Sequence, residues 1–155
     1  METIELKTLD KHSYHSLLRE AGGICDAFLL IVRQGNGLSR RASDFLDELR
    51  SHQRTVEDVS EWPGTSLIRG FAQKFVYDLN AVSIELLIAA ANSPFYWQQP
   101  ILPEDLCLLR SDGSALLVTI SHEHDIYLQL KEEELPLFDD FRFSELAPGF
   151  EDDKL

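Results

Sequence analysis

The stretch that decides the fold runs from Leu106 to Ser121 and reads LCLLRSDGSALLVTIS. Asp112-Gly113 lies between two apolar runs, and this dipeptide is a strong short-range signal of a tight β-hairpin. The pattern therefore predicts one strand over residues 106–110 and its partner over 115–121. A third strand over 126–130 would complete a three-stranded antiparallel meander.

The sequence before this hairpin mixes strand and helix patterns. Residues 24–32 are apolar on both alternating faces, which predicts a strand buried on both sides, with a short buried helix as the alternative. Thr55 to Asp58 matches a capping box and predicts one further helical turn. Capping residues followed by apolar residues at helical spacing predict the longer helices. Helices are expected over 10–21, 39–53, 80–91 and 131–138, and further strands over 3–9 and 66–79.

Together these elements predict an α+β fold in which an antiparallel β-meander or sheet packs with about three to four helices. A chain of 155 residues commonly forms one domain, which we place at residues 1–138. Residues 139–155 are acidic and aromatic and contain proline and glycine, which predicts a partly ordered C-terminal tail.

The chain has 27 acidic and 14 basic residues, a formal net charge of −13. Nine of the acidic residues and three of the basic ones lie in residues 131–155, so this end contributes −6. Affinity for nucleic acid comes largely from Lys and Arg at phosphates, and anionic lipid likewise attracts basic segments. The charge therefore argues against nucleic acid and membrane as direct partners and favours a basic protein.

The sequence carries no motif of secretion, cofactor binding or a disulfide framework. Cys25 and Cys107 lie in apolar runs, where a thiol usually behaves as a small buried hydrophobe. The N-terminus lacks the basic and apolar regions of a signal peptide, and the apolar stretches are shorter than the ~20 residues of a membrane span. No phosphate-binding glycine loop, nucleophile elbow or zinc-protease helix occurs. We expect a cytoplasmic protein without a cofactor.

A cluster of titratable residues follows the predicted meander strand at 115–121. His122 and His124, if they lie on a strand, project from the same face and are candidate metal ligands, although a catalytic zinc needs a third ligand. Together with Glu123 and with Asp125 or Asp112, they define an alternative function as a small enzyme or metal-binding protein. The simpler interpretation is a polar turn at a strand end, so we assign neither catalytic residues nor a metal.

Glu104-Asp105 is a second candidate for chemistry, because paired carboxylates can divide acid and base roles. The pair follows Leu102-Pro103, however, and this position is typical of acidic residues in the first turn of a helix.

Two aromatic motifs remain. Trp62-Pro63-Gly64-Thr65 joins a large aromatic residue to a turn and is typical of a loop packed onto the core. Phe95-Tyr96-Trp97 lies between prolines, and it either packs in the core or displays an aromatic anchor for a partner.

Four stretches carry a resemblance to a known family: Trp62 to Thr65 (WPGT), Leu102 to Cys107 (LPEDLC), Arg110 to Gly113 (RSDG) and Ile120 to Glu123 (ISHE). In this order and spacing they resemble a family of small, mostly uncharacterised bacterial cytoplasmic proteins, over roughly residues 17–137. The resemblance implies no reaction, cofactor or catalytic residues. In size and acidity the chain is also similar to immunity proteins that neutralise secreted bacterial toxins.

The function that these observations favour is a non-catalytic protein-interaction domain. The more specific version of this hypothesis is an immunity-type protein that binds and neutralises a basic toxin. An oligomeric structural or regulatory subunit is a further alternative, and the sequence leaves the oligomeric state open. Acidic side chains near the C-terminal end and an exposed aromatic are the expected partner contacts. They are Tyr96, Trp97, Glu132, Glu133, Glu134, Asp139 and Asp140.

Overall fold

The computed structural model describes residues 1–139 and residue 141. The strands in this part of the chain are β1 (Glu2–Glu5), β2 (Cys25–Arg33), β3 (Gln53–Val59), β4 (Glu61–Trp62), β5 (Thr65–Ser66), β6 (Ala72–Asp78), β7 (Glu104–Arg110), β8 (Ala115–Ile120) and β9 (Asp125–Leu130). The α-helices are α1 (Lys11–Ala21), α2 (Arg40–Leu49) and α3 (Ala81–Ala90). Short 3-10 helices cover Arg50–His52, Pro94–Tyr96, Ser121–Glu123 and Glu132–Phe138.

Seven strands form one antiparallel sheet in the order β1-β9-β8-β7-β2-β6-β3, and β4 and β5 form a separate small hairpin. The prediction of an α+β fold with an antiparallel sheet and helices is confirmed. The meander β7-β8-β9 turns after β7 at Asp112-Gly113, where Gly113 has a φ of +87°. Leaving out the β4–β5 hairpin and the 3-10 turns, the elements from β2 to β7 run β-α-β-β-α-β, with β6 lying between β2 and β3, which is a split β-α-β arrangement.

The sheet has two different faces. The three α-helices pack on one face, where Phe28 and Leu30 of β2 join the main core. Leu29 and Ile31 point to the other face, which we call the open face, and cluster there with Trp62 of the β4–β5 hairpin. The predicted burial of this strand on both sides is confirmed.

Capping side chains begin each α-helix where the sequence places them. Asp10 accepts a hydrogen bond from Ser13 N at 2.7 Å before α1, and Ser39 Oγ accepts one from Ala42 N at 3.1 Å before α2. Asn80 Oδ1 accepts from Val82 N and Ser83 N, both at 3.0 Å, before α3. These bonds satisfy amide groups that a helix leaves without an internal partner.

The predicted capping box at Thr55 to Asp58 is wrong, because these residues lie in strand β3. Val56 pairs with Phe75, and Val59 pairs with Ala72, so pairing with β6 decides the backbone conformation against the local motif. The single strand predicted over 66–79 is instead divided into β5 and β6 by a connection containing Gly70, whose φ is +75°.

Described residues that follow β9 pack on the core. A 3-10 helix, Glu132–Phe138, occupies the place of the predicted short helix. Phe141 is buried, and its ring centroid lies 5.9 Å from that of Phe138, so core contacts continue past the expected domain limit at 138. Apart from Asp139 and Phe141, the predicted acidic tail lies outside the described residues.

Candidate functional site

Polar side chains from four separate parts of the chain meet beside the β4–β5 hairpin. We call this group the Arg33 cluster; its members are Arg33, Trp62, Glu104, Asp105 and His122. Because β2 and β7 are antiparallel neighbours, Arg33 at the end of β2 lies close to Glu104 and Asp105 at the start of β7. Trp62 comes from the hairpin and His122 from the 3-10 turn after β8. The fold thus assembles residues that are remote in the sequence.

Asp105 is the centre of the cluster. It is 1% exposed, and its two carboxylate oxygens serve different segments of the chain. Oδ2 accepts a hydrogen bond from Trp62 Nε1 and Oδ1 accepts one from Ser121 N, both at 2.9 Å. Its φ of +57° is rare for a residue other than glycine and costs of order 1–3 kcal/mol. The surrounding contacts therefore hold a backbone conformation that Asp105 would not adopt unaided.

Arg33 supplies the positive charge of the cluster. Its Nε lies 2.7 Å from Glu104 Oε2, although the two atoms are not aligned as a hydrogen bond, and its Nη2 lies 3.7 Å from Asp105 Oδ2. The guanidinium carbon stands 5.1 Å from the Trp62 ring centroid, within the range of a cation–π contact. Gln99 holds the backbone of Arg33 by accepting from its N–H at 2.6 Å.

The electrostatics of the cluster centre on Glu104. Burial raises the pKa of the Glu104 carboxyl, Arg33 partly offsets this rise by favouring the charged form, and neighbouring Asp105 adds to it. Nδ1 of His122 lies 3.3 Å from Nη2 of Arg33, so in the neutral ring it accepts and the proton sits on Nε2. The arrangement links a strand end, the hairpin and the turn after β8, and burial favours the protonated form of Glu104.

The predicted placement of Glu104 and Asp105 in a helical turn is wrong, because both begin strand β7 and are buried. His122 and His124 do not share one face of a strand, which was the condition for their joint metal binding; they lie in a turn after β8, as the simpler interpretation expects. The chain turns through Ser121–Glu123, and His124 adopts a left-handed conformation with a φ of +57°. His122 contacts Arg33, whereas the His124 ring packs against Phe95 with centroids 5.4 Å apart.

Among residues 1–139 and 141, no group of three or more His, Cys, Asp or Glu side chains is arranged to hold a metal ion. Cys25 and Cys107 are both buried free thiols, as the apolar runs around them predict.

Two of the predicted partner contacts lie in the interior, which corrects their assignment to the surface. Trp97 is fully buried, and its Nε1 donates a 2.8 Å hydrogen bond to the hydroxyl of Tyr14. Glu134 is 6% exposed and forms an ion pair with Arg110, whose Nε lies 2.9 Å from Glu134 Oε2. The pKa of the Glu134 carboxyl is lowered, chiefly by its hydrogen bond from Arg110.

The other predicted contacts have different positions. Tyr96 is 58% exposed and lines a cavity of about 360 Å³ with Arg41 and Ile101. Glu132, Glu133 and Asp139 are exposed, so their role as contacts stays a prediction. Asp140 lies outside the described residues.

A groove on the open face is the second notable feature, and we call it the open-face groove. Its volume is about 560 Å³. Val118 and Ile120 of β8 are part of its floor, and Pro63 and Gly64 of the hairpin form one wall. Gly64 approaches the floor so closely that an added Cβ would lie 2.8 Å from Ile120. The remaining lining residues are Thr3, Ser114, Ala115, Tyr127 and Gln129.

The fold and these two features define an acidic α+β domain with a buried ion cluster beside an open groove. No protein-family model matches the chain, and neither a curated protein nor a solved structure matches it. No α-helix in the described residues has both the length and the apolar character needed to cross a membrane.

Arg33 belongs to none of the motifs predicted from the sequence, and Trp62 was predicted only to pack on the core. Arg33 ends an apolar run and resembles any charged residue at a strand end, so its neighbourhood carried no signal. The WPGT, LPEDLC and ISHE stretches, by contrast, each supply a residue that contacts Asp105 or contain Asp105 itself. The signal that the sequence offered was Trp62 itself, because a buried Trp usually donates its N–H to a polar partner.

Proposed function

We propose that this chain is a non-catalytic protein-interaction domain that binds a basic protein in the cytoplasm, in the manner of a bacterial immunity protein binding a toxin. The observation that carries the proposal is the distribution of charge over the folded chain. Basic side chains are mostly occupied by ion pairs, whereas a set of exposed carboxylates near and after β9 is left over.

Nine lysines and arginines in the described residues lie within 4.0 Å of a carboxylate. They are Lys7, Arg19, Arg33, Arg40, Arg50, Arg54, Lys74, Arg110 and Lys131. Such pairs neutralise one another at short range, so they contribute little to the field at a distance. The net charge of −13 is then concentrated on the remaining acidic side chains.

The carboxylates left over within the described part of the chain include Glu123, Asp125, Glu132, Glu133 and Asp139, none of which pairs there with a lysine or arginine. Glu123 precedes β9, Asp125 is its first residue, and the others follow it. Strand β9 lies next to the edge strand of the sheet. A field of one sign attracts an oppositely charged protein and speeds its association, most strongly at low salt. This arrangement supports a basic partner.

The test co-expresses this chain with each basic protein that a gene adjacent to its own encodes, and purifies the two together. We expect a stable complex, protection of the host from that protein, and an association rate that falls steeply between 50 and 500 mM salt. The E132Q/E133Q/D139N variant should associate about three- to tenfold more slowly at low salt.

The matched control is E20Q/E48Q/D58N, which removes three exposed carboxylates elsewhere and leaves the same net charge. It should slow association less than the first variant, because the field depends on where the charges lie. Absence of a complex and of protection would contradict the proposal.

A further inference from the structure

The open-face groove has the dimensions of a site for an extended peptide. Ala115, Val118 and Ile120 of strand β8 line the floor, and the six residues of this strand span about 17 Å at 3.3 Å per residue. An extended segment of about five to six residues spans a similar length. The apolar side chains of Val118 and Ile120 can bury an apolar residue of that segment.

Three carboxylates lie near Tyr127 and Ile120, at one end of this groove. Glu5 lies directly opposite Tyr127 across the β1–β9 pair, and Asp125 lies opposite Ile120 across the β8–β9 pair. The pKa of the Tyr127 phenol is raised by its burial and by the negative charges of Asp125, Glu5 and Glu123. Tyr127 and Ile120 line the groove, so Glu5 and Asp125 lie one strand away from lining residues and place negative charge beside the groove rather than in its lining.

Part of this charge is compensated, and part is not. Lys7 Nζ lies 3.4 Å from Glu5 Oε1, and both side chains are well exposed. Glu123 lies 3.8 Å from His122 Nε2, whose ring carries charge only when protonated. Asp125 pairs with no lysine or arginine among the described residues. The acidic end of the groove thus favours a positively charged group.

We propose that the open-face groove binds an extended segment of the basic partner, with a Lys or Arg side chain at the acidic end. This proposal rests on the proposed function and gives it a location. The cationic head lies over the Tyr127 ring between Asp125 and Glu123, where cation–π and ionic contacts act together. Because side chains alternate between the two faces of an extended segment, the apolar residue two positions from this Lys or Arg packs on Val118 and Ile120.

The hairpin wall makes this groove a preformed site. Pro63 and Gly64 follow Trp62 directly, and Trp62 is held by its hydrogen bond to Asp105 and by Arg33. Because the wall is already ordered in the free chain, binding does not have to carry the entropic cost of ordering it. The Arg33 cluster is therefore a positioning element for the groove.

The test titrates the ¹⁵N-labelled full chain with the blocked peptide acetyl-Leu-Ser-Arg-Ser-Leu-amide, whose Arg and Leu side chains share one face when it is extended, and follows amide chemical shifts. We expect the largest shifts at Gly64, Val118, Ile120 and Tyr127. The E123Q/D125N variant should weaken binding about tenfold, as expected for two charged contacts at a partly exposed site. The peptide with Gln in place of Arg should bind too weakly to saturate.

The matched control is E20Q/E48Q, which removes two exposed carboxylates from the helices on the opposite face. It should change peptide affinity by less than about twofold. Equal weakening by both variants, or shifts spread over Glu132–Phe138 instead of the groove, would overturn the proposal. Equally tight binding of N-acetyl-arginine amide would also overturn it, because the site would then serve a small cation.

This experiment separates the groove from the broader function. If E123Q/D125N leaves peptide and partner binding unchanged while E132Q/E133Q/D139N slows partner association, the groove proposal fails and the proposed function stands. If the co-expressed partner never forms a complex while the peptide binds in the groove, the proposed function fails.

Discussion

Trp62 Nε1 donates a 2.9 Å hydrogen bond to Asp105 Oδ2, which joins two residues 43 positions apart in the sequence. The bond ties the β4–β5 hairpin to the start of β7. Asp105 also accepts from the backbone of Ser121, so one buried carboxylate holds two segments against the sheet.

Replacing Asp105 by Asn should destabilise the fold by about 2–4 kcal/mol. The amide keeps one acceptor oxygen, so either the Trp62 N–H or the Ser121 N–H loses its partner, and Arg33 loses a negative neighbour. Urea unfolding measures the change. The exposed Asp58→Asn is the control and should stay within about 0.5 kcal/mol of the parent chain; an equal loss in both would show that Asp105 has no special role.

The Arg110–Glu134 pair offers a second test. Glu134→Gln should cost about 3–5 kcal/mol, because it leaves the charge of Arg110 buried without its counterion. Replacing both residues with apolar ones, R110M/E134L, should be less destabilising than either single change, because no uncompensated charge remains. Denaturation of the parent chain, R110M, E134L and R110M/E134L completes a double-mutant cycle. Additive single and double effects would contradict a direct pairing.

The stability of the chain should depend on pH in opposite directions at two carboxylates. The pKa of Glu104 is raised in the folded chain, so its contribution is greatest below the unfolded value near 4.5 and is lost as pH rises through the folded pKa. The pKa of Glu134 is lowered, so its contribution is present above about 4.5 and is lost as pH falls.

We therefore expect the parent chain to lose stability relative to E104Q as pH rises above about 4.5, because only the parent chain ionises at this position. The difference between the parent chain and E134Q should shrink as pH falls below that value. Guanidinium titrations at pH 3 to 8 measure both. Parallel pH profiles for the parent chain and E104Q would show that Glu104 does not titrate as its burial requires.

Gly64→Ala should destabilise the chain more than Gly113→Ala. Both glycines have a φ of +87°, so each alanine pays the same backbone cost of about 1–2 kcal/mol. A Cβ at position 64 also lies 2.8 Å from Ile120, whereas one at position 113 meets nothing within 4 Å. The clash should add about 1–3 kcal/mol in thermal or chemical unfolding. Equal losses at the two positions would contradict the close approach of the hairpin to the groove floor.

The features predicted correctly from the sequence depend on neighbouring residues. Asp112-Gly113 directs its hairpin, and Asp10, Ser39 and Asn80 cap their helices within three positions. The failure at Thr55 to Asp58 has the opposite cause, because pairing with β6, about 20 positions away, overrides a local capping pattern.

The candidate site could not be predicted for a related reason. Arg33, Trp62 and Asp105 come from three distant segments, and each looks ordinary among its neighbours. Trp97 and Tyr96 are adjacent in a short 3-10 segment without regular periodicity, so the sequence does not indicate which ring is buried. Only the folded chain distinguishes the two.

The pairing of β1 with β9 places Glu2 opposite Leu130, 128 residues further along the chain. During synthesis β1 leaves the ribosome first, yet its partner follows only after about 6–25 s at 5–20 residues per second. Closing so long a loop is entropically costly until the meander has formed. The first strand to be made is thus the last to join the sheet, and until then β9 is the exposed edge of the nascent domain.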